Sequence, residues 1–564
     1  MLQNALNENS DARLKNIVAT IQKEQNEIIR ANMFKPLIIQ GVAGSGKTTV
    51  ALHRIAYLVY TYEKSFTPED FLIIGPNKFF LSYISDVLPD LGVDYVMQQT
   101  FEEFAKCYIK EKLIFESGND KLKQIVESDM SDEEINKLIC ASKFKSSVEF
   151  KNYIDKCMQN INEQFLPKED FNVTNIIVLK YDELLNMFLD DFQNISLEDR
   201  IERLEKFMIN KISNIADWIL NKIKEERTRE LNSIPKRLSE NEQKNYREII
   251  FKKTEYEIDS LLKDKGKRLV KDYIKRLNKL SCIQIYKEII NNIELEENTQ
   301  YYKYIRDNFN KKISRKIIEY EDIAPIMYIC FKLFKQNEKL NLKHIIIDEA
   351  QDFSEFQFIV LYEILNKNKS ITILGDLAQG IYSYRGTENW QKINELVFKG
   401  EAKIQGLEKS YRTTIDIMNE ANKVLSKINE KIGVNLGEAI SQNGIKPKYY
   451  NLNNFREKIE KLKTLIDNSK INGRNNIGII AKDSKQCEEI YHQIKNTYDK
   501  VQLITDQIEN FDGGITVVPS YYSKGLEFDS VVIWDYNNYK DTSLDTKLLY
   551  VAMTRAMHEL NLLY

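Results

Sequence analysis

Short apolar runs closed by glycine, proline or a charged residue mark the two ends of this chain. Pro36-Leu-Ile-Ile-Gln40 and Phe71-Leu-Ile-Ile-Gly75 lie near the N-terminus. His344-Ile-Ile-Ile-Asp348, Ser370-Ile-Thr-Ile-Leu-Gly375, Ile477-Gly-Ile-Ile-Ala481, Ile515-Thr-Val-Val518, Val531-Val-Ile-Trp534 and Leu560-Asn-Leu-Leu563 follow later. Runs of this length, separated by helical patterns, predict buried strands of parallel sheets with helices on both faces. The middle of the chain has another texture. From about 105 to 320 it carries long charged helical patterns and few strand runs. Ser196 and Asp199 predict an N-cap and a first-turn carboxylate. Leu197, Ile201, Leu204, Met208, Ile212, Ile215 and Ile219 then fall at spacings of three and four, the stripe of a helix packed on a neighbour.

This pattern predicts an α/β protein in four segments: a first lobe begun by 1–104, a helical insertion over 105–322, the rest of the first lobe over 323–400, and a second α/β lobe over 401–564. At 564 residues the chain is too long for one core. Its 43% hydrophobic and 29% charged residues are ordinary for a globular protein. A net charge of −3 excludes a polycation, so any nucleic-acid contact has to come from a local groove. Residues 221–280 hold 18 Lys and Arg against 11 Asp and Glu; a solvated helix face and a phosphate-tracking surface explain this equally well. The six cysteines are scattered without a C-x-x-C pair, as expected of reduced thiols in a cytoplasmic protein. The four histidines are dispersed and read as structural. No apolar run reaches membrane-spanning length, and the polar N-terminus is unlike a secretory signal.

Chemistry concentrates at the ends of the strand runs. Gly41-Val-Ala-Gly-Ser-Gly-Lys-Thr48 follows the first and fits G-x-x-x-x-G-K-[ST], the loop that wraps a nucleotide's phosphates. Gly41, Val42, Ala43, Gly44, Ser45 and Gly46 offer backbone N–H groups, and Lys47, Thr48 and Thr49 open a helix whose N-terminus favours anions. Lys47 has the reach for the β- and γ-phosphates, and Thr48 has a hydroxyl for Mg²⁺. Asp348-Glu349-Ala-Gln-Asp352 ends another strand: Asp348 suits the metal, and Glu349 suits an attacking water as general base. Gly375-Asp-Leu-Ala-Gln379-Gly-Ile-Tyr382-Ser-Tyr384-Arg385 ends a third. Gln379 is placed to sense a γ-phosphate. Tyr382 and Tyr384 read either as core or, through Tyr384, as a platform for a base.

These motifs together resemble superfamily 1 helicases of the UvrD/Rep type. The resemblance implies two RecA-like parallel-sheet lobes of the P-loop NTPase class, with ATP between them, single-stranded DNA across the top and a large helical insertion in the first lobe. Gln25, in Ile21-Gln-Lys-Glu-Gln25, resembles the residue that reads adenine. Leu407-Glu-Lys-Ser-Tyr411-Arg412 resembles motif IV, which implies Tyr411 on the adenine face and Arg412 on the γ-phosphate. Ser523-Lys-Gly525-Leu-Glu527 resembles motif V, with Glu527 as the ribose contact. Leu549-Tyr-Val-Ala-Met-Thr554-Arg555 resembles motif VI, with Arg555 as a second arginine finger. Asn77, Thr100, Phe101, Tyr384, Arg385 and Tyr521 stand at positions implied to contact nucleic acid.

A narrower resemblance is to HelD, the branch associated with RNA polymerase. Gly41 to Tyr60, Gly75-Pro-Asn77, Glu408 to Thr413 and Val518-Pro519-Ser520-Tyr521 are similar to that branch. Where UvrD-type proteins have a Thr-Phe-Thr-like motif, this chain has Ile74-Gly-Pro-Asn77, and Pro519 and Tyr521 replace a Thr and a His. The stretch 413–514 is short for a second-lobe insertion, whereas 102–343 is long, as in HelD. Residues 8–30 predict one helix rather than HelD's long N-terminal coiled-coil arm, so either the arm is lost or the start is incomplete. The functional expectations are a DNA helicase or translocase moving 3′ to 5′, a HelD-like ATPase acting on RNA polymerase, or, more weakly, an ATP-gated binding module.

Overall fold

Strand β1 (Leu37–Gly41) has parallel neighbours on both sides, as its unbroken apolar run requires. The computed structural model describes residues 23–162, 165–173, 175–192, 195–262, 266–278, 280–293, 299–334, 342–365, 370–432, 436–440, 444–504 and 513–564. Its first sheet contains β1, β2 (Phe71–Ile74), β3 (Met97–Gln99), β4 (His344–Ile347), β5 (Ser370–Gly375) and β6 (Lys403–Leu407). They pair in the order β6-β1-β5-β4-β2-β3, all parallel. The carboxyl ends of β1, β5 and β4 therefore lie side by side, where open α/β sheets hold ligands. Strand β6 extends this sheet beyond the boundary expected at 401.

Helix α1 (Lys47–Thr61) follows β1 directly and buries Val50, Ala51, Leu52, Ile55, Leu58 and Val59 against the sheet. Helix α2 (Lys78–Asp90) starts at Asn77, whose side chain accepts from Phe80 N. Helix α3 (Asp120–Glu127) is short and buries Lys121 and Leu122. On the underside of the sheet, buried Arg54 donates to the carbonyls of Ile28, Ile29 and Ala31 at 2.8–3.0 Å and to Thr372 Oγ1 at 3.0 Å. His344 lies between Ser370 Oγ (2.5 Å) and Thr372 Oγ1 (3.1 Å). Burial, and then Arg54 nearby, hold its imidazole well below the usual histidine range.

Residues 152–293 and 328–337 form a separate compact unit. Its long helix α4 (Leu197–Asn232) is capped by Ser196, which accepts from Asp199 N at 3.2 Å; of the expected stripe it buries Leu197, Leu204, Met208, Ile212 and Ile219, while Ile201 and Ile215 are half-buried. Helix α5 (Glu240–Leu262) packs on it through Lys253–Glu230 and through Arg227 over the Phe251 ring. This unit also corrects the cysteine reading. Cys282 and Cys330, Cα atoms 5.5 Å apart, form a disulfide. A separation of 48 residues gives no sequence signal for the pair, because the fold alone brings them together. The other four cysteines are free thiols.

The second sheet holds β7 (Lys448–Tyr450), β8 (Ile477–Ala481), β9 (Val501–Leu503), β10 (Ile515–Pro519), β11 (Phe528–Ile533) and β12 (Ala556–Leu563). Its order is β7-β12-β11-β8-β10-β9, again all parallel. Helix α6 (Ser484–Ile494) follows β8, and α7 (Ser543–Met553) runs directly into Thr554, Arg555 and β12. The fold is thus α/β with two parallel six-stranded sheets, as expected. The helix expected over 8–30 lies mostly outside the described residues. Among the described residues, no helix is long and apolar enough to cross a membrane.

Candidate active site

The loop after β1 turns on Gly44 and Gly46, both in the left-handed region (φ +73° and +80°). Its cradle is too tight for a side chain: a Cβ on Gly41 would meet Lys47 Cγ and Ser45 Oγ at 2.6 Å. Lys47 is 8% exposed, and its Nζ donates to Gly41 O (2.8 Å) and Val42 O (3.1 Å). The ammonium thus folds over the loop's own carbonyls. Thr48 Oγ1 donates to Asp348 Oδ2 at 2.7 Å, joining the loop to the end of β4. Burial, and then Glu349, lift the Asp348 carboxyl above its usual range, with Thr48 opposing.

Glu349 has a left-handed backbone (φ 51°), a strained conformation for a non-glycine residue. Gln351 Nε2 donates to its Oε2 at 2.6 Å, and Lys524 Nζ lies 3.2 Å from the same oxygen. Burial pushes the Glu349 carboxyl up, but Lys524, Lys47, Gln351 and Arg555 together hold it well below the ordinary value. Glu349 is therefore ionised at neutral pH. Lys524 also pairs with Asp352 at 2.6 Å, and burial lifts that carboxyl to about 6 against the pull of the ammonium.

From Gln351 a buried polar chain runs across the carboxyl ends of the strands. Its Oε1 accepts from Asp376 N at 2.8 Å. Asp376 accepts from Gln379 Nε2 at 2.6 Å and from Gln40 Nε2 at 3.2 Å. Trp390 Nε1 fixes Gln40 at 2.6 Å. Gln379 Oε1 then accepts from Arg555 Nη2 at 2.8 Å. Arg555 is 2% exposed, and its other donors reach Val551 O, Leu526 O and Thr554 Oγ1. Burial, and then Arg412, lower its pKa to about 10, so the guanidinium stays charged.

The remaining expected residues surround the same loop. Tyr411 N donates to Gly44 O at 2.9 Å, and a Cβ on Gly44 would meet Arg412 Cβ at 2.5 Å. Arg412 forms an ion pair with Glu527. Gly525, two residues before Glu527, turns at φ +85°. Gln25 Nε2 lies 3.5 Å from where a Gly46 Cβ would stand. The hydroxyls of Ser45, Ser410 and Tyr411 are buried beside the loop without a hydrogen-bond partner among the described residues. Orphaned donors, a loop with no room for side chains and a threonine–aspartate pair suit a phosphate chain and a hard cation.

The family comparison agrees. Residues 21–397 match the UvrD/REP helicase N-terminal domain, and residues 514–563 match the UvrD-like helicase C-terminal domain. The chain belongs to the UvrD/REP helicase family. Curated UvrD/REP relatives match over shorter stretches. DNA helicase II of Haemophilus influenzae is 29% identical over 121 residues, covering 20% of this chain and 16% of that protein. ATP-dependent DNA helicase PcrA of Staphylococcus epidermidis is 26% identical over 166 residues, covering 29% and 23%. ATP-dependent DNA helicase srs2 of Schizosaccharomyces pombe is 28% identical over 154 residues, covering 27% and 17%. The chain thus spans less than a quarter of the length of each of these relatives.

The residues expected to contact nucleic acid are placed as follows. Tyr384, Arg385 and Tyr521 are all buried, so Tyr384 presents no ring face to solvent. Tyr384 and Tyr521 join Leu122, Ile381, Tyr382, Leu548 and Val551 in one apolar cluster. Arg385 stacks on the Tyr320 ring at 3.7 Å and on the Tyr382 ring at 4.5 Å. Thr100 caps the helix Phe101–Ala105, and Phe101 is buried edge-on against Phe353. Asn77 is exposed and caps α2. Residues that the motif reading left without a role include Gln40, Arg54, Gln351, Asp376 and Lys524. Lys524 lies inside the Ser523–Glu527 stretch, but only the fold reveals its acidic partners.

Proposed function

We propose that the chain is a Mg²⁺-dependent ATP hydrolase of helicase type, coupling turnover to 3′-to-5′ movement on single-stranded or partly duplex DNA. The observation that carries this reading is the Arg555–Gln379 hydrogen bond. It joins the C-terminal half to the first lobe beside the phosphate loop and the Thr48–Asp348 pair. Residues Gly41 to Thr49 wrap the phosphates, and Lys47 swings from its loop carbonyls to the β and γ groups. Mg²⁺ held by Thr48 and Asp348 would neutralise charge on the terminal phosphates. Glu349, ionised and oriented by Gln351, takes the proton of the attacking water. Gln379, Arg412 and Arg555 stabilise charge that develops on the γ-phosphoryl group in a loose transition state. Gln25 and Tyr411 hold the adenine and Glu527 the ribose. Because the arginines and Lys524 come from chain segments far from the loop, loss of the γ-phosphate loosens the seam and lets the lobes move.

A second reading has specific support. Tyr384, Arg385 and Tyr521 are buried, and Pro519 and Tyr521 replace a Thr and a His of the DNA-helicase pattern. Both facts favour a HelD-like ATPase that remodels RNA polymerase without strand separation. ATP turnover measured alone, with single-stranded DNA and with purified RNA polymerase distinguishes the two. Many-fold stimulation by DNA supports the first reading. Indifference to DNA with a response to polymerase removes it in favour of the second.

A further inference from the structure

Helix α3 lies over the residues that a nucleic-acid strand would need, and it touches both lobes. On the first-lobe side, Asn119 Oδ1 accepts from Tyr382 OH, and Gly118 O accepts from Tyr384 OH at 3.4 Å. A Cβ on Gly118 would meet Arg385 Nη2 at 2.8 Å, so the backbone there lies against the guanidinium. Leu122 fills the cluster that hides Tyr382, Tyr384 and Tyr521. At the other end of the helix, one carboxylate oxygen of Glu127 accepts three hydrogen bonds. They come from Ser484 N (2.7 Å), Ser484 Oγ (2.6 Å) and Tyr521 OH (2.5 Å), all from the second lobe.

The two ends of α3 are held differently. Near the start, Lys121 is buried and pairs with Glu321 at 2.5 Å and Glu319 at 3.3 Å. Removing one partner of such a buried network leaves an uncompensated charge, so this end is a fixed anchor. The Glu127 end faces hydroxyls and an amide that water or a phosphate oxygen can satisfy. A helix of this length does not hold itself in water, so its docking contacts keep it formed. Glu127 offers Ser484 and Tyr521 the acceptor that a strand phosphate would offer.

We infer that α3 is an autoinhibitory strap: it pivots on Lys121, its Glu127 clasp stands in for a strand phosphate on the second lobe, and a bound single strand displaces that clasp. This rests on the strand-binding reading above. In the clasped form Tyr521 is covered and the lobes are tied together away from the nucleotide. In the released form Tyr521 and Ser484 are exposed to the strand. Binding selects the released form, so the clasp lowers apparent affinity by the fraction of molecules that are closed.

The test uses the full chain and a fluorescein-labelled oligothymidylate of about 20 nucleotides. Amide hydrogen exchange over residues 123–128 is followed with and without saturating oligonucleotide, and affinity is read by anisotropy for the wild type and Glu127→Ala. The expected result is at least tenfold faster exchange over 123–128 in the wild type with oligonucleotide, and at least threefold tighter binding by Glu127→Ala. Tight binding with unchanged or stronger protection of 123–128 overturns the strap and leaves strand binding standing. Equal affinity of the two proteins, although Glu127→Ala already exchanges fast over 123–128, overturns the inhibitory role. No binding by either protein at low salt overturns the strand reading and the strap with it. The wild-type exchange experiment stands even if the variant folds poorly.

Discussion

Arg555 Nη2 donates to Gln379 Oε1 across 2.8 Å, and Gln379 in turn donates to Asp376 at 2.6 Å. A residue just beyond the second lobe's last helix is thus hydrogen-bonded to a loop of the first. The guanidinium is charged and dry, so any anion reaching it gains more than it would in water. Arg555→Ala is expected to lower ATP turnover about 10²-fold or more, as for other arginine fingers. Nucleotide binding should change much less. Steady-state hydrolysis with a fluorescent-nucleotide titration checks both, and wild-type turnover in the variant would remove Arg555 from the reaction.

Glu349 sits among cations and bonds to the Gln351 amide. Glu349→Gln keeps the shape but cannot accept a proton from water. It is expected to bind ATP with near-wild-type affinity and to lose turnover by about 10²–10⁴, the range of general-base contributions. Single-turnover hydrolysis separates this from slow product release. A variant that turns over normally would show that another group takes the proton.

The central strands were legible because each is a short apolar run buried on both faces. This holds for Ile345 to Ile347 and for Ile477 to Ala481. In the two six-stranded sheets the strands that escaped are Met97–Gln99, Lys403–Leu407, Lys448–Tyr450 and Val501–Leu503. All but Lys403–Leu407 have three residues, and all four lie at sheet edges, where polar side chains face water and the apolar signal fades. The phosphate loop and the acidic pair were legible because their chemistry demands those residue types in adjacent positions. Lys524 was not, because its partners Glu349 and Asp352 lie far away in sequence and no periodicity relates them. Tyr384 is a residue the sequence left undecided. Its motif left core and base platform both open, and the ring lies in the core, where Leu122 from a helix without a motif of its own packs in the same cluster.

His344 gives a pH prediction. Ser370 Oγ donates to Met33 O, so His344 Nδ1–H donates to Ser370 and Nε2 accepts from Thr372. Both ring nitrogens are satisfied in the neutral form, and burial beside Arg54 opposes protonation. The folded pKa lies below the unfolded value near 6.5, so the unfolded chain takes up the extra proton. Stability from this group is complete above pH 6.5 and is lost as pH falls towards the folded value. The expected loss is about 1.4 kcal/mol per pH unit below 6.5. Urea unfolding at pH 7.5 and pH 5.5 should show that slope in the wild type and a flatter one in His344→Gln. Equal slopes would mean that the ring is already protonated or solvated in the folded state.

Arg54 ties the segment that carries Gln25 to the first sheet. Three of its hydrogen bonds go to the carbonyls of Ile28, Ile29 and Ala31, just after Gln25, and a fourth goes to Thr372 on β5. Among the described residues no carboxylate pairs with it. The bonds instead give donors to the part-buried carbonyls of Ile29 and Ala31 at the end of a helical turn, and add to the Ala31 N–H already on Ile28 O. Arg54→Ala should therefore cost about 3 kcal/mol, because each stranded carbonyl costs roughly 1–3 kcal/mol and part of the segment can rehydrate. The same change frees Gln25 from its position beside Gly46, so ATP affinity should fall about tenfold while GTP affinity falls less. Thermal melting with and without each nucleotide tests both effects. A variant that loses stability but discriminates ATP from GTP as the wild type does would show that Gln25 does not read the base.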